Sequence, residues 1–174
     1  MSKLKPAVSS SDHFQGNDDA PIVLVEYGDY QCPHCGRANP IIKRIQEKLG
    51  DKLKFVFRNF PLAEIHNHAV NAAIGAEAAA AQDKFWEMHD VIFENQQHLD
   101  DVSLIKHAAH IGLNIEQFET DFEKPEYQET VEADFESGVR SGVNGTPSFF
   151  VNGEKYNGDW EETAFLAYLE QVSK

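Results

Sequence analysis

Cysteine is the scarcest of the reactive residues in this chain. Only two occur in 174 residues, Cys32 and Cys35. A pair so close together leaves no structural disulfide elsewhere. It also lacks the second thiol pair that a zinc site usually needs, so no metal is expected. Basic residues are few too: 15 Lys and Arg stand against 29 Asp and Glu, a net charge of −14. That balance argues against nucleic acid and anionic membrane surfaces as partners. It points to no particular substrate, and solubility is its blandest explanation. No apolar run approaches the ~18 residues of a membrane span, and Met1 to Ser11 lacks the apolar core of a secretory signal. As written, the chain is expected to be cytoplasmic; a mature form given a new start would instead be periplasmic or otherwise extracytoplasmic. The cysteine count does not choose between them.

What is present suffices for one domain with a real core: hydrophobic residues make up 41% of the chain. Residues 1–15 read as a flexible leader, with turn chemistry from Gly16 to Pro21. Ile22 to Tyr27 is nearly all apolar and reads as a strand buried on both faces. Pro33 to Leu49 reads as a helix closed by Gly50 and kinked at Pro40. Leu53 to Phe60 reads as a second strand. From Ala69 to about Ser137 only helical patterns occur, four or five in succession. Asn114 and Gln117 there resemble a capping box. Strand chemistry returns at Pro147 to Val151, followed by an Asn152-Gly153 hairpin signal and a closing helix from Trp160 to Val172. The order is β-α-β (16–62), a helical insertion (63–140), then β-β-α (141–174).

Cys32-Pro33-His34-Cys35 follows the first strand and opens the first helix, which reads as a thioredoxin-like redox site. On a first helical turn, residues i and i+3 share a face, so the two sulfurs can bond. Unpaired N–H groups and the partial positive charge of a helix N-terminus favour a thiolate on Cys32, the reactive species. Pro33 suits the first turn because no N–H donor is needed there. The alternative for Cys32 is a buried inert thiol or half of a zinc site. His34 is either a surface residue or a donor and charge close to the Cys32 sulfur. Glu26 ends an apolar run that should be buried, where a carboxylate costs free energy unless paired or protonated; the alternative is a strand end facing solvent. His66 and His68, and His107 and His110, lack nearby carboxylates at ligand spacing and read as solvated or packed. Phe85, Trp86 and Phe93 read as helix core.

Four features together resemble the DsbA-like family of thiol–disulfide oxidoreductases over about Gly16 to Val172. They are the Cys-Pro-His-Cys motif, the lead-in from Val25 to Gln31, the long helical insertion, and the stretch from Gly145 to Gly153. The resemblance implies an α/β thioredoxin fold: a central mixed sheet flanked by helices, with an inserted all-helical subdomain. It implies Cys32 as nucleophile and Cys35 as resolving thiol. Glu26, six residues before Cys32, would pass a proton to or from Cys35 with a raised pKa. Pro147 would follow a cis bond, leaving the Thr146 backbone free to pair with an extended substrate. The expected activity is exchange of the Cys32–Cys35 disulfide with protein or peptide thiols, as a net oxidant. It would need no cofactor beyond the cysteine pair, and a redox partner that the sequence does not name would regenerate it. A monomer is expected. A net reductase or isomerase, and a peptide-binding or chaperone-like module with incidental thiols, remain the alternatives. A glutathione-dependent transferase of the same fold fits less well, because those enzymes generally lack the second cysteine.

Overall fold

The computed structural model describes residues 2–174. Five strands, β1 (His13–Gly16), β2 (Ile22–Gly28), β3 (Leu53–Asn59), β4 (Ser148–Val151) and β5 (Glu154–Tyr156), form one mixed sheet in the order β1-β3-β2-β4-β5. β2 and β3 are parallel and are joined through helix α1 (Pro33–Leu49); the other pairings are antiparallel. A parallel pair needs such a crossover, and the crossover starts at the C-terminal end of β2. That end is where the cysteines sit. α1 runs on through Pro40, and Gly50, at φ 52°, ends it.

Side-chain alternation along the central strands divides the core in two. Leu24, Phe55, Phe57, Phe149 and Val151 face one layer, which Ile42 and Ile45 of α1 complete. Val25, Tyr27, Val56 and Phe150 face the other. Both Phe149 and Phe150 are therefore core, one on each face. Glu26 shares the face of Leu24, on the side of the cysteines.

Between β3 and β4 lie five helices: α2 (Ala69–Ala80), α3 (Phe85–Glu94), α4 (Asp101–His110), α5 (Ile115–Phe122) and α6 (Pro125–Arg140). α2 is buried on nearly every side, and its alanines let neighbouring helices approach closely. Phe85 and Phe93 are core, while Trp86 is half-buried and donates from Nε1 to Phe14 O. Asn114 accepts from the Gln117 N–H at 2.9 Å, but the Gln117 side chain turns to Asp121, so only half of a capping box forms. The chain closes with β5, reached through Asn152 and Gly153 at positive φ, and α7 (Glu162–Val172).

The leader expectation fails for the described part of residues 1–15; Met1 lies outside the described residues. Leu4 is buried in the second core layer. Its N–H donates to Gly153 O at 2.8 Å, and the Lys155 N–H donates to Ser2 O at 2.9 Å. Arg58 donates to the carbonyls of Pro6 and Ala7. β1, within the same stretch, pairs with β3. The physical reason is that short β5 and the margin of β3 offer unpaired backbone groups, which this segment satisfies. Leu4 anchors the stretch, and Val8 and Phe14 pack half-buried against the same layer.

Candidate active site

Cys32 caps α1 and Pro33 occupies its first turn. Both cysteines are free thiols; Cys32 retains 4% exposure and Cys35 none. The Cys32 thiol is pulled down to about 5. The largest cause is the hydrogen bond from the Cys35 thiol. Burial opposes it, and the Thr146 hydroxyl and the N–H groups of Cys35 and His34 add to it. The Thr146 hydroxyl is buried with no partner of its own, so it is free to donate once Cys32 ionises. Burial, and then the hydrogen bond to Cys32, push Cys35 well above the ordinary thiol value, against a main-chain donor, Asp29 N–H, at 3.4 Å from its sulfur.

Glu26 is 3% exposed, and its Oε2 has no hydrogen-bond partner. Burial, and then the Cys32 charge, raise its carboxyl to about 8, so at neutral pH it is mostly a carboxylic acid. Its charge is among those felt by Cys35. The Thr146–Pro147 bond is cis, and Thr146 O lies 3.7 Å from Cys32 Sγ. A groove of ≈ 350 Å³ runs from this loop along Phe149 and Tyr156 to Trp160. Its walls include Thr146 and Pro147 but neither cysteine, and four larger hollows, of ≈ 610, ≈ 570, ≈ 450 and ≈ 360 Å³, include none of these residues. The exposed His34 ring makes its hydrogen bond with Arg37, its Nδ1 lying 3.2 Å from Nη1. What His34 gives to Cys32 here is its main-chain N–H.

Sequence reasoning missed two supports of this site. The first is Asp29, 1% exposed. Its carboxylate accepts from Gln31 N at 2.7 Å and Leu62 N at 2.9 Å, and pairs with His66 Nδ1 at 2.7 Å. This fixes the strand-to-helix turn and aims the Asp29 N–H at Cys35. A charged residue three places before Cys32, at the end of an apolar run, is the available signal. The second is Gln96, whose Nε2 donates to Tyr30 O at 2.9 Å and Cys32 O at 2.8 Å. Gly36 makes room for it, since a Cβ there would lie 2.1 Å from Gln96 Oε1. No local pattern announces a contact 64 residues away. Of the other histidines, His66 serves Asp29, and His107 Nε2 lies 2.8 Å from His98 O. Among the described residues, no group of three or more His, Cys, Asp or Glu could hold a metal ion.

A family model described as thioredoxin matches residues 9–171. Among solved structures, the chain is similar to a thioredoxin-like oxidoreductase from Silicibacter pomeroyi DSS-3, at 25% identity and TM-score 0.84 over 94% of this chain and 93% of that one. It is similar to oxidised BdbD from Bacillus subtilis, at 25% identity and TM-score 0.82 over 99% and 97%. It shares the fold of the thiol–disulfide exchange protein α-DsbA2 from Wolbachia pipientis, at 20% identity and TM-score 0.84 over 94% and 88%. Among curated sequences it is 40% identical to Na(+)/H(+) antiporter NhaA 1 of Mycobacterium sp. (strain KMS), over 98% of this chain and 28% of that protein. The chain thus spans little more than a quarter of the length of such relatives. None of its described helices is long and apolar enough to cross a membrane. The likeness covers one segment of the antiporters and carries no transport activity to this chain.

Proposed function

The chain belongs to the thioredoxin family, among its DsbA-like thiol–disulfide oxidoreductases, and from that premise we propose that it acts as a net oxidant of protein or peptide thiols. The observation that carries this reading is the unlike placement of the two thiols, Cys32 at the N-terminus of α1 beside Thr146 and Cys35 fully buried behind it, which holds Cys32 down to about 5 and pushes Cys35 well up. A stabilised Cys32 thiolate stabilises the reduced protein, which makes the disulfide a stronger oxidant.

The chemistry follows from the geometry. A substrate thiolate attacks Cys32 Sγ of the disulfide; the Cys32–Cys35 bond breaks and a mixed disulfide forms. Cys35 leaves as a thiolate that its buried surroundings disfavour, and the Glu26 carboxylic acid supplies it with a proton. A second substrate thiolate attacks the substrate sulfur of the mixed disulfide. The substrate departs as a disulfide, and Cys32 departs as a stabilised thiolate. Two electrons have passed to the cysteine pair, and a separate redox partner must remove them. Thr146, with its carbonyl beside Cys32, offers a main-chain edge to an extended substrate, a recognition mode tolerant of sequence.

Trapping tests the reading. Oxidised protein mixed with a reduced two-cysteine peptide should oxidise it. A Cys35→Ser variant treated with the oxidised peptide should hold it as a mixed disulfide on Cys32, and Cys32→Ser should trap nothing. A Cys32→Ser/Cys35→Ser variant that keeps full function toward a client would point instead to a binding module.

A further inference from the structure

Two groups crowd into the space over Gly28, where a side chain would otherwise stand. Gly28 ends β2 two residues after Glu26, so both belong to the same face of the sheet. A Cβ built on Gly28 would lie 2.5 Å from Phe57 Cε1, 2.9 Å from Phe57 Cζ and 2.8 Å from Glu26 Oε2. Ordinary non-bonded carbon contacts sit at about 3.5–4.0 Å. The ring edge and the carboxyl therefore occupy volume that any other residue's Cβ would claim. Strand register sets this up, because Glu26 stands opposite Phe57. The ring has little freedom to withdraw. It is buried, and its centroid lies 4.6 Å from that of His89 and 5.2 Å from that of Tyr30. The carboxyl has the freer end, since its Oε2 is buried without a hydrogen-bond partner. A Cβ at this position would displace the acid before the ring.

We propose that Gly28 is a positioning residue: its missing side chain seats the Glu26 carboxyl against the Phe57 ring, in the place from which the acid hands its proton to Cys35. The inference rests on the proton-transfer role given to Glu26 above. In that step the Cys32–Cys35 bond has broken, the O–H proton of Glu26 goes to Cys35 Sγ, and a carboxylate is left. A proton from solvent restores the acid before the next cycle. The cross-strand neighbours of Glu26, Phe57 on β3 and Phe149 on β4, carry no charge. The titratable groups whose charge couples to it are Cys32 and Cys35, at the start of α1, and Tyr30, in the turn before it. Among the described residues no cation pairs with Glu26. Packing, not an ion pair, sets where its carboxyl lies, and Gly28 is the part of that packing that makes room.

A double-mutant cycle separates positioning from a merely structural role. The assay is the single-turnover rate at which a reduced two-cysteine peptide reduces the oxidised protein at pH 7. A positioned general acid is worth about 10²–10⁴-fold, so displacing it by Gly28→Ala should slow the reaction about tenfold. Glu26→Gln keeps the shape of the side chain, and with it the crowding, but removes the proton. In that background Gly28→Ala should change the rate less than about twofold. Equal slowing in both backgrounds would overturn the proposal, because the new methyl would then be acting through the fold. Should Gly28→Ala fail to fold, Gly28→Ala/Phe57→Leu removes the ring carbons that crowd the methyl and keeps the carboxyl contact. It should react more slowly than Phe57→Leu alone, and equal rates would overturn the proposal. A ¹³C titration of the Glu26 carboxyl gives a readout independent of redox activity. Its midpoint should fall from about 8 in Gly28→Ala, as the carboxyl is pushed toward water; an unmoved midpoint would overturn the proposal. If Glu26→Gln reacts at the parent's rate, the proton-transfer reading fails, while a moved midpoint still upholds Gly28 as the residue that seats the carboxyl.

Discussion

Replacing Glu26 by Gln separates the cost of the buried acid from its use. The carboxyl is raised to about 8 from an ordinary 4.5, first by burial and then by the Cys32 charge. In the unfolded chain it ionises near 4.5; in the folded protein it stays protonated until about 8. Its contribution to stability is therefore complete below 4.5 and is lost as pH rises through 8. At ~1.36 kcal/mol per unit, about 3 kcal/mol has gone by pH 7. Gln does not titrate, so the variant escapes that loss. Urea denaturation of the reduced proteins at pH 4 and pH 7 should show the stability difference, variant minus parent, moving in the variant's favour by about 3 kcal/mol. Oxidised proteins should show the same trend with a smaller span, because burial remains and the Cys32 charge does not. The same variant should slow the step that delivers a proton to Cys35. A difference that is flat with pH would mean that Glu26 ionises normally in the folded state, and the proton-transfer role would lose its basis.

Other outcomes follow from the same contacts. Thiolate absorbance should report Cys32 titrating near 5 and Cys35 silent through the range of ordinary thiols; a first transition at an ordinary thiol value would contradict the nucleophile assignment. Gln96→Ala takes the Nε2 donor from the Tyr30 carbonyl and leaves Cys32 O with only the Gly36 N–H; it should cost about 1–3 kcal/mol in urea melts, with faster amide exchange around the cysteines. An unchanged melt would remove Gln96 as a tie between the insertion and the site. Leu4→Ala should cost about 2 kcal/mol and open residues 2–11 to proteolysis, whereas a free leader would register neither change.

The parts legible in the sequence are those governed by local rules. The all-apolar run of β2, the Cys-x-x-Cys at a helix start and the Asn-Gly turn each carry their signal within a few residues, and those elements form within two residues of their expected bounds. Glu26 was legible because a carboxylate in a buried run violates a simple rule. The leader was misread because its placement depends on unpaired edges contributed by residues far along the chain. The hold on the site was hidden for the same reason. Asp29 acts through Leu62 and His66, and Gln96 acts from the turn that follows α3. Composition shows such residues only as polar. In the sequence His34 reads as either a surface residue or a charge near Cys32; its exposed ring bonds to Arg37, one helical turn on.

The claim that matters most is that the protein is an oxidant, and its redox equilibrium with glutathione at pH 7 tests it most directly. With Cys32 near 5, the reduced state gains about 2.7 kcal/mol over the same dithiol with an ordinary thiol. That corresponds to about 60 mV in the oxidising direction. The account predicts a Cys32–Cys35 potential less negative than about −220 mV, the oxidising edge of the cytosolic glutathione range. A potential at or more negative than that edge would contradict it and assign the same cysteines to a reductase.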